Sequence, residues 1–289
     1  MHEEYIECDG ARIWTVTQGK GEALVLLHGG PGGYDQLQPV ADMLDDIVLV
    51  HRYEQRGCGR SKGGPPYTVQ RWLHDLELLR TYWGHPGWIV FGHSFGAELA
   101  LAYAAAFSAR ARGIIYMSCL PAVLGDKRGE EEFLANRAAR IADTLREPFI
   151  KLWRLRQDGG SPELALIGLA AEFGDPAAAS LHLRAMVEGA PPVNQEINAS
   201  LSDDFRLYAG SHEFAVGLRQ MACTILVLHG ERDLRPMWAA ERLTRLLPNA
   251  RLVRLPGGHF PWLEAPVELR QALRKFVWDI VDVTRFPLQ

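Results

Sequence analysis

The segment Trp88-Ile89-Val90-Phe91-Gly92-His93-Ser94-Phe95-Gly96-Ala97-Glu98-Leu99-Ala100 runs from four apolar residues, through a serine flanked by glycines, into an alanine-rich stretch that continues to Phe107. A short apolar run bounded by glycine fits a strand buried on both faces, and the small-residue stretch fits a helix packed closely on a sheet. Gly-x-Ser-x-Gly is a weak signal alone. At a strand-to-helix junction it gains meaning, because a sharp turn there lifts the serine hydroxyl above the sheet and leaves no room for side chains at the flanking positions. The helix N-terminus behind Ser94 also places positive partial charge where negative charge develops in an attack on a carbonyl. Ser94 is therefore read as a nucleophile.

Outward from this point the chain alternates. Tyr5–Cys8, Ile13–Thr17, Ala23–Leu27, Ile47–Val50 and Ile114–Met117 read as further strands, and Leu37–Leu44 as a short helix. Thr68 is placed to cap a helix that runs to Trp83, with Trp72, Leu76, Leu79 and Trp83 on one face. The rhythm stops at Pro121 and resumes with strand Thr224–Leu228, helix Ala239–Leu247, strand Arg251–Leu255 and a closing helix Val267–Val281. The expected class is α/β, a mostly parallel sheet flanked by helices. The expected organisation is a core of residues 1–120 and 216–289 with a helical cap, 121–215, broken by Gly159-Gly160, Pro176 and Pro191-Pro192.

A chain of 289 residues, 47% hydrophobic and 23% charged, is long enough for a large core plus an insertion. Its net charge of −4 and scattered arginines offer no basic footprint, so nucleic acid is not an expected partner. No apolar run approaches the ~18 residues of a membrane span and the N-terminus lacks the pattern of a secretory signal, so a soluble, cytoplasmic protein is expected. Cys8, Cys58, Cys119 and Cys223 show no paired spacing and read as reduced thiols, with neither a disulfide framework nor a zinc site. Oligomeric state is not legible.

Strand Ala23–Leu27 leads directly into His28-Gly29-Gly30-Pro31-Gly32-Gly33. Glycine lets such a loop bring a backbone N–H up to a reacting carbonyl, and the N–H groups of Gly30 and Phe95 together would make a two-donor oxyanion hole. The loop lacks the Gly-Lys-Ser/Thr ending of a phosphate loop and the spacing of a dinucleotide site. With Gln55-Arg56-Gly57-Cys58-Gly59-Arg60-Ser61 after the next strand, it resembles the prolyl aminopeptidase (proline iminopeptidase) family of α/β-hydrolases, over most of the first 120 residues and the last 70 or so. The resemblance implies the α/β-hydrolase fold with an inserted cap, and serine acyl-enzyme chemistry. His28, Arg56 and Ser61 read as loop-holding residues, and Cys58 has no evident base beside it. Glu54 stands where the family is expected to carry Asp.

In this fold the acid and base follow the serine in chain order, each after a strand. Thr224–Leu228 ends in His229-Gly230-Glu231-Arg232-Asp233, and the family places its acid at the position of Asp233, with Glu231 and Asp126 as rivals. Arg251–Leu255 ends in Pro256-Gly257-Gly258-His259, which exposes a histidine before the last helix. His259 is the expected base, and no metal or organic cofactor is needed. For an aminopeptidase the cap must hold a free amine with carboxylates. Glu196 lies at about the distance before Asp233 where the family keeps an anchoring glutamate, and the nearest counterpart of a second, Trp-Glu anchor is Trp153-Arg154. The expected substrate is a small molecule or short peptide. The resemblance implies an aminopeptidase releasing an N-terminal residue from small peptides; beside it stands an esterase, amidase or carbon–carbon hydrolase on a small metabolite and, third, a ligand-binding receptor.

Overall fold

The computed structural model describes residues 1–125, 127–145 and 162–285. Its sheet contains β1 (His2–Cys8), β2 (Ala11–Gly19), β3 (Ala23–Leu27), β4 (Leu49–Tyr53), β5 (Lys62–Gly63), β6 (Trp88–His93), β7 (Ala111–Met117), β8 (Thr224–Gly230) and β9 (Ala250–Leu255). The strand order is β1-β2-β4-β3-β6-β7-β8-β9, with β5 beside β2. β1, β2 and β4 pair antiparallel at one side, and every pairing from β4 across to β9 is parallel.

The two-residue period of a strand sorts the apolar run of β3 onto both faces. Ala23, Val25 and Leu27 join one core, and Leu24 and Leu26 the other, all essentially without exposure. Trp88 and Val90 divide from Ile89 and Phe91 in the same way. Each such leucine contributes about 2 kcal/mol of transfer free energy, which is why a parallel sheet needs helices on both faces. α2 (Val69–Tyr82) and α3 (Phe95–Ala106) cover the first face, while α1 (Gln38–Asp42) and a C-terminal helix from Pro266 to Arg285 cover the second. Thr68 caps α2 by accepting the Arg71 N–H at 3.2 Å.

One strand is displaced from its expected place. Ile47–Val50 is the apolar stretch, but β4 runs Leu49–Tyr53 and so includes His51 and Arg52. Both are buried with partners far away in sequence: His51 bonds Thr17 and His85 and stacks on Trp83, and Arg52 pairs with Asp35 and Gln38.

Between β7 and β8 the described chain forms a 3₁₀ turn (Ala122–Leu124), α4 (Lys127–Leu145), α5 (Pro162–Glu172), α6 (Pro176–Val187), α7 (Gln195–Ala209) and α8 (His212–Gln220). α9 (Met237–Leu246), α10 (Pro261–Glu264) and α11 (Pro266–Arg285) complete the described residues. α7 and α8 do not stand apart from the core: Ile197, Leu201, Phe205, Phe214 and Leu218 pack with α2 and α3. α8 approaches α3 so closely that a Cβ on Gly217 would lie 2.5 Å from the Ala105 oxygen. Among the described residues no helix is long and apolar enough to cross a membrane.

Candidate active site

Ser94 sits between β6 and α3 with φ 53 and ψ −127, a conformation that side chains rarely adopt. Its neighbours explain how the turn is held. A Cβ on Gly92 would lie 2.1 Å from the Gly96 oxygen, and one on Gly96 would lie 2.2 Å from the Leu27 oxygen. Both motif glycines are thus imposed by backbone packing. Gly29 is constrained as well, since its Cβ would be 2.9 Å from the Ser94 Cβ.

The loop after β3 is fixed from behind. His28 is buried; its Nδ1 bonds the Gly29 carbonyl at 2.9 Å and its Nε2 accepts the Gln55 N–H at 3.3 Å. Burial lowers the pKa of this imidazole, which suits a neutral group with one donor and one acceptor. Gly30 has φ +61, and among the described residues neither its N–H nor that of Phe95 has an acceptor. Glu54 takes up the loop's far side. It accepts the Asp35 N–H and binds Arg60 through both main chain and guanidinium. Arg56 pairs with Asp75, and Ser61 joins the Glu54 carbonyl to the Trp14 N–H, all away from the cavity. The Cys58 thiol is buried and pushed up to about 12.

His259 follows β9 and Asp233 follows β8. The His259 Nδ1 lies 2.9 Å from Asp233 Oδ2, and both side chains are almost fully buried. Burial alone would raise the Asp233 carboxyl, but the Arg235 guanidinium and His259 beside it hold it well below the usual carboxylate range. Of its sequence rivals, Glu231 is exposed and Asp126 lies outside the described residues. Ser94 and His259 line one cavity of about 210 Å³ with His28, Gly29, Gly30 and Phe260. Leu169, Glu172 and Val193 border it from the segment between β7 and β8.

Three residues here escaped the sequence reading. Arg235 Nη1 lies 2.7 Å from Glu172 Oε2, 2.9 Å from Asp233 Oδ1 and 3.0 Å from His259 Nδ1. His93 donates from Nε2 to the His259 carbonyl at 2.9 Å, its pKa driven well below the ordinary histidine value by burial and then by His259. The only sequence sign of Arg235 was its place two residues beyond the acid; Glu172 carried none. Glu172, Asp233 and His259 offer ligand atoms within 4.8 Å of one another, but the Arg235 guanidinium already occupies the centre of that group. Glu196 lies in the exposed first turn of α7, outside the cavity lining, and Trp153 lies outside the described residues.

Known proteins with related sequences and structures agree on the scaffold. The alpha/beta hydrolase family matches residues 24–272. The proline iminopeptidase of Saccharolobus solfataricus is 42% identical over 111 residues, which are 37% of this chain and 36% of that enzyme. The chain thus matches little more than a third of that relative's length. A proline iminopeptidase-related protein of Thermus thermophilus superposes with a TM-score of 0.72 at 26% identity, covering 98% of this chain and 99% of that one. A thermophilic esterase from Thermogutta terrifontis superposes with a TM-score of 0.70 at 23% identity, covering 97% and 99%, and shares the fold.

Proposed function

Since the chain belongs to the alpha/beta hydrolase family, we propose that it is a serine hydrolase in which Ser94 is the nucleophile, His259 the base and Asp233 the orienting acid. The observation that carries this is the strained Ser94 elbow opening on the same cavity as a histidine whose Nδ1 is held by a buried carboxylate. His259 takes the hydroxyl proton as Ser94 attacks a carbonyl, and Asp233 stabilises the imidazolium. The N–H groups of Gly30 and Phe95 receive the oxyanion, a contribution of about 3 kcal/mol per donor in transition-state stabilisation. Protonated His259 then gives its proton to the leaving group. Water, activated by the same base, releases the acid from the acyl-enzyme.

The substrate is a small ester or amide with an uncharged acyl part. The carboxylate bordering the cavity, Glu172, is committed to Arg235, and Leu37, Leu169, Val193 and Phe260 supply apolar walls. Residues 121–215 act as the cap that shapes this space. A second reading, an aminopeptidase releasing an N-terminal residue, is favoured by the likeness to proline iminopeptidases. That reading needs a carboxylate near the substrate amine, a part the sequence offers to Glu196 with Trp153, and it requires Glu196 to reach the cavity from the exposed first turn of α7.

The test is fluorophosphonate labelling of the native protein, followed by a panel of nitrophenyl esters against proline and alanine arylamides, with Ser94→Ala as control. Label and ester turnover are expected, both lost in Ser94→Ala. Turnover of arylamides in place of esters selects the second reading. Labelling that survives Ser94→Ala refutes the mechanism.

A further inference from the structure

Resting on the serine-hydrolase reading, we propose that Arg235 and Glu172 form a positioning pair that selects the tautomer of His259.

Arg235 Nη1 carries two hydrogens and has three atoms within hydrogen-bond reach: Glu172 Oε2, Asp233 Oδ1 and His259 Nδ1. When both hydrogens go to the carboxylates, Nδ1 meets an acceptor in Asp233 Oδ2 and must itself carry the proton. The lone pair then sits on Nε2, where a base for Ser94 needs it. Without the Glu172 carboxylate, one Nη1–H is released 3.0 Å from Nδ1. That hydrogen competes with Asp233 Oδ2 for Nδ1: where Nδ1 accepts it, the Nδ1–H···Oδ2 bond is given up, the proton moves to Nε2, and the imidazole cannot take a proton from the serine. Arginine beside a catalytic acid is therefore a hazard that Glu172 removes.

The guanidinium is held firmly enough for this selection. Its own main-chain N–H donates to Asp233 Oδ1 at 2.9 Å, and its carbonyl accepts from His229 Nε2 at 2.9 Å. The Phe133 ring of α4 covers the guanidinium at 4.7 Å. Glu172 is fixed in turn, because its carbonyl accepts the His259 N–H at 2.9 Å. Beyond it, the N–H groups of Gly174 and Asp175 donate to Glu264, which also accepts from Gly258. The end of α5 is thus bound to the histidine loop itself.

The test uses the full chain and reads ester kinetics together with ¹⁵N NMR of the histidine rings, the His259 signal being the one absent from His259→Gln. In Glu172→Ala the proton moves to Nε2 and kcat falls about 100-fold with little change in KM, in line with the large cost of a wrong tautomer in serine hydrolases. Glu172→Gln keeps an oxygen for the Nη1–H and retains the native tautomer and most of kcat. The double variant Glu172→Ala with Arg235→Met removes the competing donor, so it is expected to recover at least 10-fold in kcat over Glu172→Ala alone. A merely structural pair would instead lose activity additively. Should Glu172→Ala not fold, Glu172→Leu fills the same space and is judged by the same outcomes.

An unchanged His259 tautomer in Glu172→Ala, or a double variant no faster than the single one, overturns the proposal while Ser94-dependent labelling leaves the hydrolase reading intact. Labelling independent of Ser94 removes both.

Discussion

Asn194 donates its main-chain N–H to the Gly32 carbonyl at 2.8 Å, and the two backbones lie so close that a Cβ on Gly32 would sit 2.2 Å from the Asn194 oxygen. Asn198 adds a bond from Nδ2 to the Pro31 carbonyl at 3.0 Å. The start of α7 therefore supports the loop that presents Gly30.

Two glycines of that loop separate conformation from space. Gly30 and Gly32 both have positive φ, but a Cβ on Gly30 meets nothing within 4 Å. Gly30→Ala is expected to cost about 1 kcal/mol, the penalty of the left-handed conformation. Gly32→Ala adds a clash with backbone and is expected to cost about 3 kcal/mol and to lower kcat by displacing the loop. Urea unfolding and ester kinetics on the two variants check this ordering.

The bidentate pair Arg56–Asp75, at 2.8 and 2.7 Å, is buried beneath the turn after β4. Removing one partner leaves an uncompensated charge, which typically costs roughly 3–5 kcal/mol in a buried pair. Asp75→Ala is expected to lower the unfolding midpoint strongly. The fraction that remains folded keeps its Ser94 label, because the pair does not touch the cavity.

Glu98, in the first turn of α3, is buried and accepts from Tyr116, Cys119 and the Ala122 N–H. Burial pushes its carboxyl from 4.5 up to about 7, outweighing those bonds. Folding therefore favours the protonated acid. Its stabilising contribution is complete below pH 4.5 and is lost as the pH rises through 7. Glu98→Gln does not titrate, so its stability relative to the parent is expected to rise between pH 5 and pH 8, measured as urea midpoints about one pH unit apart.

All four cysteines are free thiols. Burial raises Cys8 and Cys58 to about 12 and Cys223 to about 11, and Cys119 rises well above the ordinary thiol value. Because the thiolate is the reactive form, a thiol reagent at pH 8 is expected to modify the native protein roughly 100-fold more slowly than the urea-unfolded chain. Rapid native modification of Cys8, Cys58 or Cys119 would contradict their burial, whereas Cys223 is half-buried and is the thiol expected to react first.

Much of this arrangement was legible wherever one local rule decided it. Thr68 announced α2 because capping is a short-range bond, and Ala23–Leu27 announced a two-sided strand because apolar burial follows period. Ser94, Asp233 and His259 were legible as strand-end residues in order, and the structure places Asp233 against His259. β4 was misplaced because His51 and Arg52 look like surface residues until Trp83, His85 and Asp35 are brought to them. Glu172 and Arg235 are 63 residues apart. Their relation exists only once the chain has folded, so neither periodicity nor a motif could signal it.

The attachments of the segment between β7 and β8 bear on how it can be exchanged. That segment supplies Glu172 to the histidine loop and Asn194 to the glycine loop, as well as the walls Leu169 and Val193. It is therefore not an exchangeable module. A chimera carrying a relative's insert would change the cavity walls and, in the same stroke, the supports beneath the histidine loop and the glycine loop, so the insert and the two loops it touches have to be exchanged as one unit.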